Sequence, residues 1–411
     1  MTSPASSDPI TPRLPPYAYM VFILGALACL GPLTIDAYLP AFGEIGHTFA
    51  RSREDVQSTL GYYMLAYALT MLVHGTLSDT FGRRRVLMTA LCVYTLGAVA
   101  AAYSPTFEWL VAGRILQGLS AGAGMVIGQA VVNDCYKGAV AQRTLSYIIM
   151  VFSVSPAIAP VLGGYLAAGF GWRMIFVLMM VVALASLALC AWGLPETLPA
   201  HKRQPFVATA FFRNIAQILQ DRVFLALSLS FGLLFAGFGF MIGGAHDFVT
   251  AILQLSETDF GYLFVPLVAG MLSGSFLAAR LAPLTAPSNL IAAGFGVMTL
   301  SCALNLAYTG SVDQVSVLFA VLPLGLFACG LTLAFPGMTL TVLGRVPALA
   351  GTAASVLGFI QMVFFSISSG WGVALVYGSA WRMAIALTLG MAASGLSWLL
   401  ISRLGARRAV V

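Results

Sequence analysis

Tyr17-Ala-Tyr-Met-Val-Phe-Ile-Leu-Gly-Ala-Leu-Ala-Cys-Leu-Gly-Pro-Leu-Thr-Ile-Asp36-Ala-Tyr-Leu-Pro40 is an apolar run that exceeds the roughly 20 residues a helix needs to cross a bilayer. It carries one carboxylate, Asp36. Insertion scales charge about 2.5–3.5 kcal/mol for an ionised acid at a helix centre, so such a group is rarely kept for stability. Its expected use is to bind and release a proton or cation, and the rest of the chain is read for the machinery around it.

Composition agrees with the membrane reading. The 411 residues are 60% hydrophobic and 8% charged, against roughly 25% charged in soluble domains. Apolar stretches of spanning length fall near 17–39, 56–77, 86–104, 109–132, 144–168, 173–194, 222–246, 258–282, 289–309, 314–343, 350–377 and 381–402. The predicted fold class is therefore an all-α membrane protein with twelve transmembrane helices in two six-helix bundles. Its surroundings are the lipid bilayer, and the formal charge of +6 does not point to nucleic acid here, because it sorts by loop. With the N-terminus inside, fifteen of the 20 Lys and Arg fall in cytoplasmic segments, and only Arg51, Arg53, Arg173 and Arg382 fall outside. That bias places both termini in the cytoplasm.

The expected organisation is an N-terminal tail (1–16), a six-helix bundle (17–194), a cytoplasmic linker (195–221), a second bundle (222–402) and a C-terminal tail (403–411). The tail is Pro-rich and lacks a signal peptide's charged start. Six cysteines without CxxC spacing read as small buried hydrophobes, and neither metal nor cofactor is expected. The halves echo each other. Trp172-Arg173-Met174 returns as Trp381-Arg382-Met383, and Asp36 is answered by Asp247 at nearly the same spacing, as parallel repeats with a substrate site between them would produce.

Three motifs sharpen the reading. Gly75-Thr-Leu-Ser-Asp79-Thr-Phe-Gly82-Arg83-Arg84-Arg85 joins the second and third helices. There Gly82 permits a tight turn, Asp79 can hold the following arginines, and the arginines enforce topology. In the fourth helix, Gly113-Arg114-Ile-Leu-Gln117-Gly118 sets Arg114 at about the depth of Asp36, counted at about 1.5 Å per residue. A guanidinium that cannot lose its proton needs a partner there, and Asp36 is the expected one. In the fifth helix, Ser155-Pro156-Ala-Ile-Ala159-Pro160-Val-Leu-Gly163-Gly164 combines prolines that free helix hydrogen bonds with glycines that allow close approach, so a bend is expected.

These motifs resemble those of the major facilitator superfamily. The first is similar to its G-x-L-x-D-x-x-G-R-[KR] signature, the second to R-x-x-Q-G, and the third to the antiporter motif g-x-x-x-G-P-x-x-G-G, with Ala159 where Gly is usual. Ile35-Asp36-Ala-Tyr38-Leu-Pro40-Ala41, Glu196-Thr-Leu-Pro199, Phe260-Gly-Tyr262 and Gly351-Thr-Ala-Ala-Ser355 with Gln361 resemble the bicyclomycin/chloramphenicol-resistance branch of drug/proton antiporters. Two departures stand out: Asn133-Asp134 where many members have Arg-Asp, and Ala28 where some broader relatives carry a second acid.

The resemblance implies a proton-coupled exporter of small, largely apolar drugs across the bacterial inner membrane, acting as a monomer. An exporter of a natural metabolite is the alternative, and a non-transporting membrane sensor a further one. Asp36 and Arg114 are the expected proton-coupling residues. Tyr38, Gln117, Gln361 and Asp247 are expected in the substrate cavity. Gly75, Asp79, Gly82, Arg83 and Arg84 form the implied conformational latch, and Pro156, Pro160, Gly163 and Gly164 the antiporter motif. Enzymatic readings lack residues: His47, His74, His201 and His246 are scattered, with no H-E-x-x-H, P-loop or G-x-S-x-G.

Overall fold

A computed structural model describes residues 15–203 and 205–408. Most of the expected N-terminal tail, and residues 204 and 409–411, lie outside the described residues. Among the described residues there are twelve long helices: α1 (Tyr17–Asp36), α2 (Arg53–Phe81), α3 (Arg83–Ala102), α4 (Phe107–Cys135), α5 (Gly138–Phe170), α6 (Arg173–Gly193), α7 (Arg222–Gly243), α8 (Gly261–Leu281), α9 (Pro287–Ser311), α10 (Val317–Leu343), α11 (Ala350–Gly370) and α12 (Ala380–Arg408). A short helix, Ala208–Gln220, lies in the linker between α6 and α7.

The helices form two bundles that repeat one packing scheme. In the first, α1 packs on α5, α2 on α4, and α3 on α4 and α6; in the second, α7 packs on α11, α8 on α10, and α9 on α10 and α12. Each of these contacts in one bundle is matched by its counterpart six helices on. The bundles meet through α2 against α11 and α5 against α8, and exchanging halves turns the first of these contacts into the second. Parallel repeats related by an axis along the membrane normal have this property. Glycine permits the closest crossings in matching places. A Cβ on Gly97 would sit 2.8 Å from the Gly113 carbonyl oxygen, and one on Gly294 would sit 2.6 Å from that of Gly330, the small-residue contact that drives helix association in lipid.

Eleven spans are long and apolar enough to cross a membrane among the described residues. The remaining helix, α2, has 29 residues and so extends about 43 Å, but it is more polar because it lies between the bundles. Gln57, Thr59 and His74 on it are buried. Its bounds exceed the expected 56–77 for local reasons. Ser52 accepts from the Asp55 N–H at 3.1 Å while Asp55 accepts from the Ser52 N–H at 3.2 Å, a capping box. At the other end Gly82, with φ of 98°, passes directly into α3, a backbone shape that favours glycine. Asp221 caps α7 by accepting from the Val223 and Phe224 N–H groups at 2.9 and 2.8 Å. Beyond α7 the chain stays helical through Ala245–Asp247 and then widens into a π-helical turn, Phe248–Ile252, a feature common at functional sites.

Candidate functional site: a buried arginine, an unpaired acid and an inter-bundle closure

Arg114 is completely buried. Its Nη1 donates to the Thr34 carbonyl at 3.2 Å and to Gln117 Oε1 at 3.1 Å, while Nε and Nη2 have no hydrogen-bond partner. The guanidinium instead lies between aromatic faces, 4.3 Å from the Tyr38 ring centroid and 4.4 Å from that of Tyr63. Desolvated cation–π contacts of this kind are worth about 2 kcal/mol or more each, which offsets part of the burial penalty of an unpaired cation. Tyr38 is held by a 2.8 Å hydrogen bond between its hydroxyl and Thr59 Oγ1 and by edge packing on Phe42. A second hydrogen bond, between Thr34 Oγ1 and the Tyr94 hydroxyl, fixes the turn of α1 that meets Arg114.

Asp36 ends α1 and is 5% exposed. The expected Asp36–Arg114 ion pair is absent: neither residue takes part in an ion pair among the described residues. The arginine reaches α1 one half-turn before Asp36, at the Thr34 carbonyl. Tyr38 and Gln117, expected to face a substrate cavity, are fully buried in the arginine's surroundings, where Gln117 Nε2 also approaches Met179 Sδ at 3.5 Å. Gln361 is buried on α11 with its amide nitrogen unpartnered.

The prolines Pro156 and Pro160 lie inside α5. The glycines after them serve two contacts. A Cβ on Gly163 would collide with the carbonyl of Ala37, the residue after Asp36, and one on Gly164 would collide with the carbonyl of Glu257 in the second bundle. One helical turn of α5 thus touches both the acid's own segment and the opposite half. An apolar cavity of about 410 Å³ opens between α1 and α5 near this turn, lined by Cys29, Leu33, Val151, Ser155 and Ala159 among others.

Asp247 is placed differently from expectation. It is 2% exposed, ion-paired to Arg53 at the start of α2, and accepts the Gly378 N–H at 2.7 Å. In this conformation it therefore joins the two bundles. Gln57 Nε2 donates to the Ser369 carbonyl at 2.5 Å, Ser366 Oγ to the Gly61 carbonyl at 2.8 Å, and the Tyr377 hydroxyl approaches Gln57 Oε1 at 3.5 Å. All these inter-bundle bonds lie at the end of the molecule that holds Arg51, Arg53 and Arg173. Glu257 is at the same end, half-buried, and burial together with the Glu44 carboxylate pushes its carboxyl above the usual range.

At the opposite end, the Gly75–Arg85 segment is engaged within its own bundle and the linker. Arg83 pairs with Asp79 and with Asp134, the latter at 3.1 Å, and donates to Ser78 Oγ at 2.7 Å. Glu196 Oε1 accepts the Arg83 N–H at 2.9 Å, and Arg84 donates to the Ala191 carbonyl at 2.5 Å. Gly82 has Glu196 and Arg203 packed against it, whereas Gly75 has only Val126 near. Asp134 thus answers Arg83 with no basic residue beside it. Arg53, Tyr63, Gly378 and Glu196 were not singled out from sequence as partners. The one available signal was the spacing of Tyr63 and Tyr67 on α2, which sets two rings on one helix face.

A family model described as Major Facilitator Superfamily matches residues 22–373. The chain is similar to an uncharacterized MFS-type transporter, YdgK, of Bacillus subtilis (strain 168), 30% identical over 85% of this chain and 87% of the relative. It is also similar to a bicyclomycin resistance protein homolog of Haemophilus influenzae, 28% identical over 84% of this chain and 87% of that one. Among solved structures, the xylose transporter XylE from E. coli superposes with a TM-score of 0.70 over 93% of this chain and 97% of that chain, at 15% identity.

Proposed function

The chain belongs to the major facilitator superfamily, and on that basis we propose that it is a proton-coupled antiporter exporting small, largely apolar drugs of the bicyclomycin or chloramphenicol type across the bacterial inner membrane. The observation that carries the proposal is a buried acid and a buried guanidinium in one bundle, each without a charge partner among the described residues. A structural ion pair would be formed in every state. Groups poised to pair and to part suit a proton that must be taken up on one side and given up on the other.

The charge bias orients the molecule with the Arg83 end in the cytoplasm. In that orientation the closed Arg53–Asp247 end faces outward, and the ion pairs of the latch segment among the described residues lie within its own bundle. The state is outward-closed, with Arg114 occupied by Thr34, Gln117 and two rings. An acid without a partner is buried at least cost in its neutral form, so this conformation is the proton-carrying one. Proton release inward leaves a carboxylate that draws Arg114 away from its rings, and drug then binds for the outward journey. The similarity to a bicyclomycin resistance protein homolog supports the substrate class.

Drug-induced proton release from detergent-solubilised protein, followed by exchange in proteoliposomes with an imposed pH gradient, tests this reading. Asp36→Asn is expected to bind drug while losing proton release and gradient-driven accumulation. An Asn variant that matches the parent in both assays removes Asp36 from the role.

A further inference from the structure

A cleft of about 600 Å³ lies at the head of α3, on the flank of the first bundle and away from the inter-bundle surface. Its mouth holds Arg84, Arg85 and Arg203 with a single acid, Glu196. Glu196 is largely committed: one oxygen accepts the Arg83 and Leu198 N–H groups at 2.9 and 3.1 Å, and the other lies 3.7 Å from Arg203. The arginines are only partly engaged. Arg84 donates to the Ala191 carbonyl and Arg203 lies near Glu196, but Nε of each has no partner, and Arg85 is exposed and in no ion pair among the described residues.

Below the mouth the lining is mostly apolar, with Thr89 beside a regular apolar stripe. Met88 and Cys92 follow Arg84 at four-residue intervals, which sets them one above another on the helix face. The stripe extends about 12 Å along the helix from Arg84 to Cys92. Phe81, 48% exposed, forms the side wall. A cationic mouth at the helix end over a hydrocarbon stem running into the bilayer matches one class of molecule.

We infer that this cleft binds an anionic phospholipid of the adjacent leaflet, with its phosphate among Arg84, Arg85 and Arg203 and an acyl chain along Met88 and Cys92. Basic pockets between transmembrane helices hold such headgroups. A soluble phosphate compound would use the mouth and leave the stem empty, and a cationic drug would meet three guanidiniums. Because Glu196 and Arg203 also pack against Gly82, the bound lipid ties the α2–α3 turn to the linker that joins the bundles.

Cys92 is exposed and lies in the stem, whereas Cys190 is buried, so the modification of Cys92 by N-ethylmaleimide reports occupancy and that of Cys190 reports folding. The full-length protein is compared in phosphatidylcholine vesicles and in vesicles enriched in phosphatidylglycerol, with peptide mapping of both cysteines. Phosphatidylglycerol is expected to slow modification of Cys92 and leave Cys190 unmodified. Arg85→Gln and Arg203→Gln are each expected to raise the phosphatidylglycerol needed for protection by about fivefold, the effect of one cation near an anionic surface. Inorganic phosphate and glycerol 3-phosphate added to phosphatidylcholine vesicles are expected to protect nothing. Equal rates in the two vesicle types overturn the inference, as does protection by either soluble phosphate, or protection that persists undiminished in both variants while Cys190 stays unmodified.

Discussion

Arg53, in the first turn of α2, is ion-paired to Asp247 in the opposite bundle, just before the helix widens into its π turn. The two partners differ: the Asp247 side chain is 2% exposed and that of Arg53 45%. Removing Arg53 leaves a buried carboxylate with the Gly378 N–H as its remaining partner. Between the exposed and buried limits, the closure should weaken by about 1–3 kcal/mol. Spin labels at His47 and Leu375, both exposed at this end, should move apart in Arg53→Ala. Adding Asp247→Asn should bring them back, because the stranded charge is then gone. Unchanged label distances in the single variant would show that the pair does not hold the bundles.

The twelve helices were legible because each needs an apolar stretch, and that requirement is local. α2 was the least legible: buried between bundles, it can keep Gln57, Thr59 and His74, and its true ends depend on a capping box and on Gly82. Burial of Asp36 and Arg114 was legible for the same reason, since depth follows from position along a helix. Their relation was not, because Arg114 turns to the Thr34 carbonyl and to the Tyr38 and Tyr63 rings, contacts between helices far apart in sequence. Nor was the Arg53–Asp247 pair, whose members are separated by 194 residues and meet only once the two bundles are assembled. The symmetry of the repeats set Asp247 opposite Asp36, and from sequence it was expected in the substrate cavity. Arg53 gives the two acids different tasks.

Glu257 makes the closure sensitive to pH. Burial and the Glu44 carboxylate raise its affinity for a proton while the bundles are together, and separation returns it to the ordinary carboxylate range. The closed form therefore binds the proton more tightly. Its advantage is full below the separated-state value and is lost as pH rises through the raised one. The label distance between His47 and Leu375 should shift toward separation as pH is raised above the ordinary carboxylate range, and Glu257→Gln should flatten that response. A pH response as steep in the Gln variant as in the parent would assign it to another group.

The latch segment should act on the other state. Asp79 is 51% exposed in its pair with Arg83, whose side chain is 9% exposed; without Asp79 that arginine keeps Asp134 and Ser78 as partners, so no buried charge is stranded. Asp79→Asn should thus leave the thermal stability of this conformation nearly unchanged. Export should fall, while equilibrium drug binding persists, because the substitution shifts a conformational balance and removes no contact of a binding site. Export equal to the parent's at equal expression would leave Asp79 without this role.

Arg114→Met separates a structural arginine from a coupling one. If the guanidinium served to stabilise the fold through an ion pair, its loss would strand Asp36 and cost about 3–5 kcal/mol, as breaking a buried pair does. Here there is no pair to break. The arginine makes two hydrogen bonds and leaves Nε and Nη2 unsatisfied. An unbranched apolar side chain between the Tyr38 and Tyr63 rings removes that unsatisfied charge, and apolar replacements of buried charges are often neutral or stabilising by about 1–4 kcal/mol. Arg114→Met should therefore melt at or above the parent's temperature, while gradient-driven drug accumulation is lost because Asp36 has no cation to return to after releasing its proton. A variant that is strongly destabilised, or one that still accumulates drug against a gradient, would contradict this account of the Asp36–Arg114 relationship.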